Sequence, residues 1–440
     1  MKVLLLTLML MLPNLSLAQG LIRDAELELA LKNLAKPVVQ AAGLSSNRIR
    51  ILVINSNKLN AFVVDSRHVF IHSGLIRRLK RPEALQAIIA HEIAHIANGH
   101  LTRRAGNLRV ANRITAIGFA LSIAAAASGQ GDAAFGLATG TASSAQRVFF
   151  AHTRSEEASA DQSGIRYLRA AGIDPAAMTD VLDLFRGQEA LRSNRQDPYA
   201  RTHPLTRDRL RAVKGYVAAA KGKAATPSKT DAYWFARMNA KLTAFLGNPR
   251  QTLRNKASKG NGEIATLRRA IGHHKTPNTK KALAEVNRLI QMRPRDPFYH
   301  ELKGQILLES RNFGPAVQSY KTAMSLAPNE PLIQAGLGKA YLTIGTKAGY
   351  QSALTTLKAA RDRDPGDPKL LRDLALAHAK NGQNAMASVA TAERYAVQGR
   401  FKDAITHAKR AMGALGQGSG GWLRANDVLR TAQVAVKKRR

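Results

Sequence analysis

The sequence predicts an α+β chain that is mostly helical, with a small β-sheet in a first domain and an all-α solenoid of repeats after it. Three observations predict this. A helix over residues 82–100 carries His91-Glu92-Ile93-Ala94-His95, short β-type runs precede that helix, and beyond Gly262 the chain repeats with a period of 34 residues. Length and composition agree: 440 residues imply two or three domains, 45% hydrophobic residues are enough for real cores, and abundant alanine favours packed helices.

Lys2 precedes an apolar run over residues 3–12, and Ser16-Leu17-Ala18 is a small-x-small cleavage site before Gln19. Residues 1–18 therefore read as a secretory signal peptide, too short for a comfortable membrane span. The mature chain is expected to start at Gln19 and to work outside the cytoplasm. Residues 21–42 read as a helix with Leu27, Leu31, Leu34 and Val38 on one side, and Pro37 is expected to kink or divide it. Residues 49–54, 61–64 and 68–72 read as strands, with His68 and His72 as ordinary strand residues.

In the next helix Pro82 suits a first position, Leu85, Ile88, Ile89, Ile93 and Ile96 recur at helical spacing, and Gly99 closes the end. His91 and His95, one turn apart, leave the same face, and Glu92 can reach a water held between them. Two neutral imidazoles and a nearby carboxylate are what a hydrolytic zinc site needs. Residues 114–127 are nearly uncharged, too short to span a bilayer, and are expected to be buried. Thr153-Arg154-Ser155-Glu156 opens another helix as a capping box, and Asp174-Pro175 starts the one after. Residues 221–262 read as a linker with one connecting helix, flanked by basic, loop-like runs; the first domain is thus 19–220.

The repeat region is placed at 263–435 and a basic tail at 436–440. Gly304 and Gly338 lie one period apart, as do Pro294 and Pro328. A bulky first helix and a second helix with Ala316, Tyr320 and Ala323, then Ala353, Leu357 and Ala360, recur around them. This is the helix-turn-helix period of tetratricopeptide repeats, which bury their faces only by stacking.

The formal net charge of +37 draws anionic partners, such as a membrane surface, but secretion argues against nucleic acid. With no cysteine, disulfides, a thiolate metal site and a lipoprotein anchor are excluded.

Catalytic zinc takes three protein ligands and leaves one position open. The helix after residue 153 offers Glu156 or Glu157 as the third. Glu157 is preferred, because Asp161 shares its face and can accept from the free ring N–H of a ligating histidine. The alternative is His100. The zinc pattern with a trailing histidine needs it six residues after the second ligand, and His100 stands at five.

Taken together, Asn60-Ala61-Phe62, Gly74-Leu75-Ile76, the His91–His95 motif, Thr153-Arg154 before Glu157-Ala158-Ser159-Ala160-Asp161, Ala171-Gly172-Ile173-Asp174-Pro175, Thr202-His203-Pro204 with Arg209, and the repeats resemble the BepA-like periplasmic zinc metallopeptidases. That family is HtpX-related, of gluzincin type, with a zincin-type domain before tetratricopeptide repeats. Ser159 departs from it, standing where the family often has a second acid. The resemblance implies one zinc ion per chain held by His91, His95 and Glu157, with Glu92 as general base and Asp161 supporting a ligand. His203 would face the zinc, as oxyanion stabiliser or reversible fourth ligand, and Arg209 would support it or the transition state. It also implies a periplasmic endopeptidase for unfolded or misassembled envelope proteins, with repeats engaging the outer-membrane assembly machinery. The alternative is a periplasmic chaperone or scaffold for that assembly, with little or repressed proteolysis.

Overall fold

The computed structural model describes residues 20–101, 154–188, 191, 196–220 and 228–437. The expected signal peptide, the apolar stretch 114–127, Thr153 of the capping box, residues 221–227 of the linker and 438–440 of the tail lie outside the described residues.

A four-stranded sheet comprises β1 (Leu21–Ile22), β2 (Arg50–Ile54), β3 (Ala61–Val63) and β4 (His68–His72), in the order β1-β2-β4-β3. β2 and β4 run parallel, with Ile54 opposite His72, and β1 and β3 pair antiparallel at the two edges. Alternation sends Ile51, Val53, Ala61, Val63, Val69 and Ile71 into the helical core, while Leu52, Ile54, Phe62 and Phe70 cluster on the other face. The start of the expected first helix is instead a strand. Leu21 pairs with Ile54 and Ile22 with Val53, and the helix α1 (Ala25–Ala41) begins only after Asp24, whose carboxylate accepts from Leu27 N–H at 2.9 Å. Pro37 lies inside α1 without dividing it; the buried face of Leu27, Leu31, Leu34 and Val38 outweighs the lost backbone bond.

After α2 (Ser73–Arg78), α3 (Pro82–Ala97) crosses the middle of the domain. Its apolar residues surround it, and every residue from Pro82 to His95 is buried. Gly99 ends it with φ +68°, a conformation that favours glycine. Against α3 pack α1, α4 (Arg154–Ala170) and α5 (Ala176–Leu184), followed by the short α6 (Pro198–Thr202) and α7 (Arg207–Ala219).

The helix expected inside the linker, α8 (Lys229–Leu246), is a core element. Phe235, Met238 and Leu242 join the core of the first domain, and Ala244 joins the first core of the repeats. The expected loop-like run after it contains α9 (Pro249–Arg254) and a 3-10 turn, Lys256–Ser258. Asn248 caps α9, and Pro249 occupies its first turn.

Five helix pairs follow among the described residues: α10 (Glu263–Lys275) with α11 (Thr279–Met292), α12 (Pro297–Glu309) with α13 (Phe313–Leu326), α14 (Pro331–Ile344) with α15 (Lys347–Arg363), α16 (Pro368–Lys380) with α17 (Asn384–Val397), and α18 (Phe401–Ala414) with α19 (Gly420–Lys437). The repeated glycines have a packing cause. A Cβ on Gly304 would stand 2.7 Å from the Tyr320 ring, and one on Gly338 would stand 2.4 Å from Leu357 Cγ. Each pair closes only because its first helix lacks that atom.

The two halves meet over a small apolar contact and a set of buried ion pairs. Ala25 packs with Phe298, Ala323 and Ile333. Arg237, fully buried, pairs with Glu26 and, at 2.6 Å, with Asp296, while its guanidinium lies 4.2 Å over the Tyr299 ring. Lys241 meets Asp24 at 2.8 Å and Glu26 at 2.9 Å. Arg23 meets Asp364 at 2.5 Å, and Arg50 meets the same carboxylate at 3.2 Å.

Candidate metal centre

The helical period of α3 brings His91 and His95 to one face, and α4 lies across that face with Glu157 in its first turn and Asp161 one turn on. Asn98, at the end of α3, donates to Ser159 Oγ at 3.0 Å and to Ser163 Oγ at 3.2 Å, which fixes the contact between the helices. The serine that departs from the resembled family therefore braces α4. Glu157 is buried and Glu156 half-buried.

Four side chains from three elements converge. His91 Nε2 lies 3.1 Å from both His95 Nε2 and His203 Nδ1. Glu157 lies 3.4 Å from His91 Nε2, 3.5 Å from His95 Nε2 and 3.1 Å from His203 Nδ1. One ligand atom from each of the four fits within 4.8 Å of all the others. Metal–donor bonds of about 2.0–2.2 Å in a tetrahedron place donors roughly 3.3–3.6 Å apart, so these separations suit a small divalent cation.

The charges point the same way. Glu92, Glu157 and Asp161 are buried acids, and Arg209 is the buried cation set among them. Thr206 caps α7 and places Arg209 in its first turn. From there the guanidinium reaches Glu157 at 2.6 Å, Asp161 at 2.6 and 2.9 Å, and the carbonyls of His203 and Pro204. Arg209 thus braces the two acids and the turn after His203. Burial pushes the Glu157 carboxyl up, but His203 and Arg209 outweigh it and hold the group well below the usual carboxylate range. Asp161 is likewise lowered against burial by Arg209 and His91. Its Oδ1 lies 2.9 Å from His91 Nδ1, the nitrogen on the far side of that ring. Burial lowers His91, yet Asp161 and Glu157 raise it to about 9, so a cation entering the site has a proton to displace.

Glu92 differs from these acids. Both its oxygens are buried with no hydrogen-bond donor among the described residues, and burial pushes its pKa up. His203 Nε2 stands 3.3 Å from it. An orphaned carboxylate beside a cluster of metal donors is placed to take a proton from a water between them.

His100 does not join the four. Its Nδ1 lies 2.9 Å from His95 Nδ1, behind the ring that faces the cluster. His68 is paired with Asp65 at 2.8 Å, and His72 is buried at the end of β4. Phe185 and Tyr199, which stack toward His203, carried no signal in the sequence beyond an aromatic residue ahead of Thr202-His203-Pro204.

This arrangement sits in a segment, residues 23–217, that matches peptidase family M48. The family expected from the motifs and the family matched agree. The chain is 27% identical over 389 residues to the beta-barrel assembly-enhancing protease of Escherichia coli (strain K12), covering 88% of this chain and 79% of that one. The protein of that name from Yersinia pestis is 27% identical over 392 residues, with the same shares. A putative beta-barrel assembly-enhancing protease of Vibrio cholerae is 31% identical over 194 residues, covering 44% of this chain and 39% of that one.

Proposed function

We propose that the chain is a zinc endopeptidase of the periplasm that hydrolyses misassembled envelope proteins, outer-membrane proteins above all, and that its repeats recruit substrate or the outer-membrane assembly machinery. The observation that carries the enzymatic part is the convergence of four buried donor atoms beside the Glu92 carboxylate, which accepts no hydrogen bond among the described residues. The setting is supported by the secretory pattern of residues 1–18 and by the printed name of the relatives. The charge of +37 suits a place beside anionic lipid, and no helix among the described residues is long and apolar enough to cross a membrane.

His91, His95 and Glu157 would hold one zinc ion, with Asp161 orienting His91 and Arg209 holding Glu157 and Asp161 in place. Zinc bound there would polarise the scissile carbonyl and acidify the attacking water. Glu92 takes the proton from that water and delivers it to the leaving amine. The outer edge of β3 would hold the substrate backbone as an added strand. His203, whose Nδ1 lies within donor distance of His91 and Glu157, would be a fourth donor to such an ion and would have to withdraw for substrate to enter. The same observation favours a second reading, a repressed protease whose resting role is that of an assembly scaffold.

The test is casein degradation by purified wild type and Glu92→Gln, with metal content measured on both. The expected result is about one zinc per chain in each and cleavage in the wild type alone. Cleavage by Glu92→Gln at the wild-type rate would remove the mechanism. Metal in a wild type that never cleaves, even with His203 changed to Ala, would leave the scaffold.

A further inference from the structure

We propose that Tyr199 is the positioning residue that seats His203 among the metal donors, and that it couples this seat to the outer edge of β3. The proposal rests on the reading of His203 as a displaceable fourth donor.

α6 has five residues, too few to hold a side chain rigidly by itself. Beyond its contacts with His91, Glu157, Glu92 and Arg209, His203 is held by a stack of rings. The Tyr199 ring lies 4.6 Å from the His203 ring at 31°, and Phe185 lies 4.7 Å behind Tyr199 at 27°. Phe185 and Tyr199 are 1% and 3% exposed, so the stack is walled in. The His203 N–H donates to the Tyr199 carbonyl at 2.8 Å, closing the turn that superimposes the two rings. With one face against Tyr199, the imidazole presents Nδ1 to His91 and Glu157 and Nε2 to Glu92. Offset aromatic contacts of this kind are worth about 0.5–1.5 kcal/mol, enough to bias a side chain and small enough to be overcome by substrate. The phenol stays neutral, because burial and Glu92 push it well above its ordinary range, so the ring and not a proton is what Tyr199 supplies.

The link to β3 is one hydrogen bond. Tyr199 N–H donates to the Leu59 carbonyl at 3.2 Å. Phe62 pairs with Phe70, and the Asn60 carbonyl accepts from His72 N–H, so residues 60 and 62 face β4. Leu59, Ala61 and Val63 then direct their N–H and C=O groups to the outer edge. α6 therefore occupies the first position of the row along which an extended substrate would add. A strand that takes the Leu59 carbonyl releases Tyr199, and His203 loses its support with it.

The experiment uses the full chain loaded with cobalt(II), whose visible absorption reports the number and geometry of donors. His203→Ala is expected to change the spectrum, Tyr199→Leu to reproduce that change, and Tyr199→Phe to retain the wild-type spectrum. A changed spectrum in His203→Ala with a wild-type spectrum in Tyr199→Leu overturns the proposal alone. An unchanged spectrum in His203→Ala overturns the fourth-donor reading and the proposal together. Should Tyr199→Leu not fold by circular dichroism, Phe185→Leu withdraws the ring from behind and is judged by the same comparison. For the coupling, casein added to cobalt-loaded Glu92→Gln protein is expected to shift the spectrum toward that of His203→Ala. A spectrum that casein leaves unmoved overturns the link to β3.

Discussion

Two clusters of buried charge in this molecule are built on opposite plans. At the junction between the halves, Arg237 and Lys241 each meet carboxylates from Asp24, Glu26 or Asp296, so every cation faces an anion. At the candidate metal centre, three ring nitrogens and a carboxylate face one another, and two acids, Glu157 and Asp161, share one arginine. The first cluster is complete as protein. The second is a set of donors that suits a cation. Burial and perturbed pKa values occur in both, so they do not distinguish a structural cluster from a functional one. The sign of the atoms that converge does.

Glu157→Gln should sharpen the contrast most. It removes an anionic donor and breaks the pair with Arg209, and metal content is expected to fall from about one per chain to near zero while the repeats stay folded. Metal analysis and circular dichroism on one sample decide it; full metal retention would mean that the donor set is misread. Arg237→Ala should do the reverse. Leaving Asp296 without its cation, and Glu26 with Lys241 alone, is expected to lower stability by about 3–5 kcal/mol in urea unfolding, with metal content unchanged. A loss under about 1 kcal/mol would show that the junction contributes little.

Arg209→Lys comes next. A lysine keeps the charge but not the fork that engages Glu157 and Asp161 together, and metal affinity is expected to fall roughly 10–100-fold by competition titration. Unchanged affinity would make the fork irrelevant. The smallest effect is that of pH. Burial raises Glu26 and Asp364, but Lys241 and Arg237 in the one case, and Arg23 and Arg50 in the other, bring both below their ordinary values. Their stabilisation is full above the ordinary carboxylate range and is lost as pH falls through the lowered values. Glu301, pushed up to about 8 by burial, works the other way, and its contribution fades as pH rises toward 8. The melting midpoint of the wild type should therefore drop on acidification more steeply than that of Asp364→Asn. Parallel acid limbs would remove Asp364 from the account.

The parts of this architecture that obey a period were legible in the sequence. His91, Glu92 and His95 announce themselves by helical spacing, and the repeats by the spacing of Gly304 and Gly338, whose missing side chains the structure explains through Tyr320 and Leu357. Glu157 could be chosen over Glu156 because Asp161 shares its face. What escaped has no period. β1 is two residues long, too short for alternation to register, and its partner lies about thirty residues on. α9 is a single capped segment in a basic run that composition marks as loop. α8 was legible as a helix, but its place in the core depends on contacts with α1 and α3 that no local pattern encodes. Tyr199 reaches the centre through folding alone, from a five-residue helix, while Arg209 was named only through the resemblance and meets Glu157 and Asp161 from the first turn of α7.

The segment from Arg23 to Glu26 finds its ionic partners in Arg237, Lys241 and Asp364. Each repeat, by contrast, packs mainly on its neighbours and can form once those neighbours are made. The order of synthesis is therefore the reverse of the order of completion. Arg23 leaves the ribosome well before Asp364, the carboxylate some 340 positions later that it pairs with. Until then the peptidase half lacks part of its frame, and a chain cut short within the third repeat would carry every metal donor yet lack the contact at Asp364.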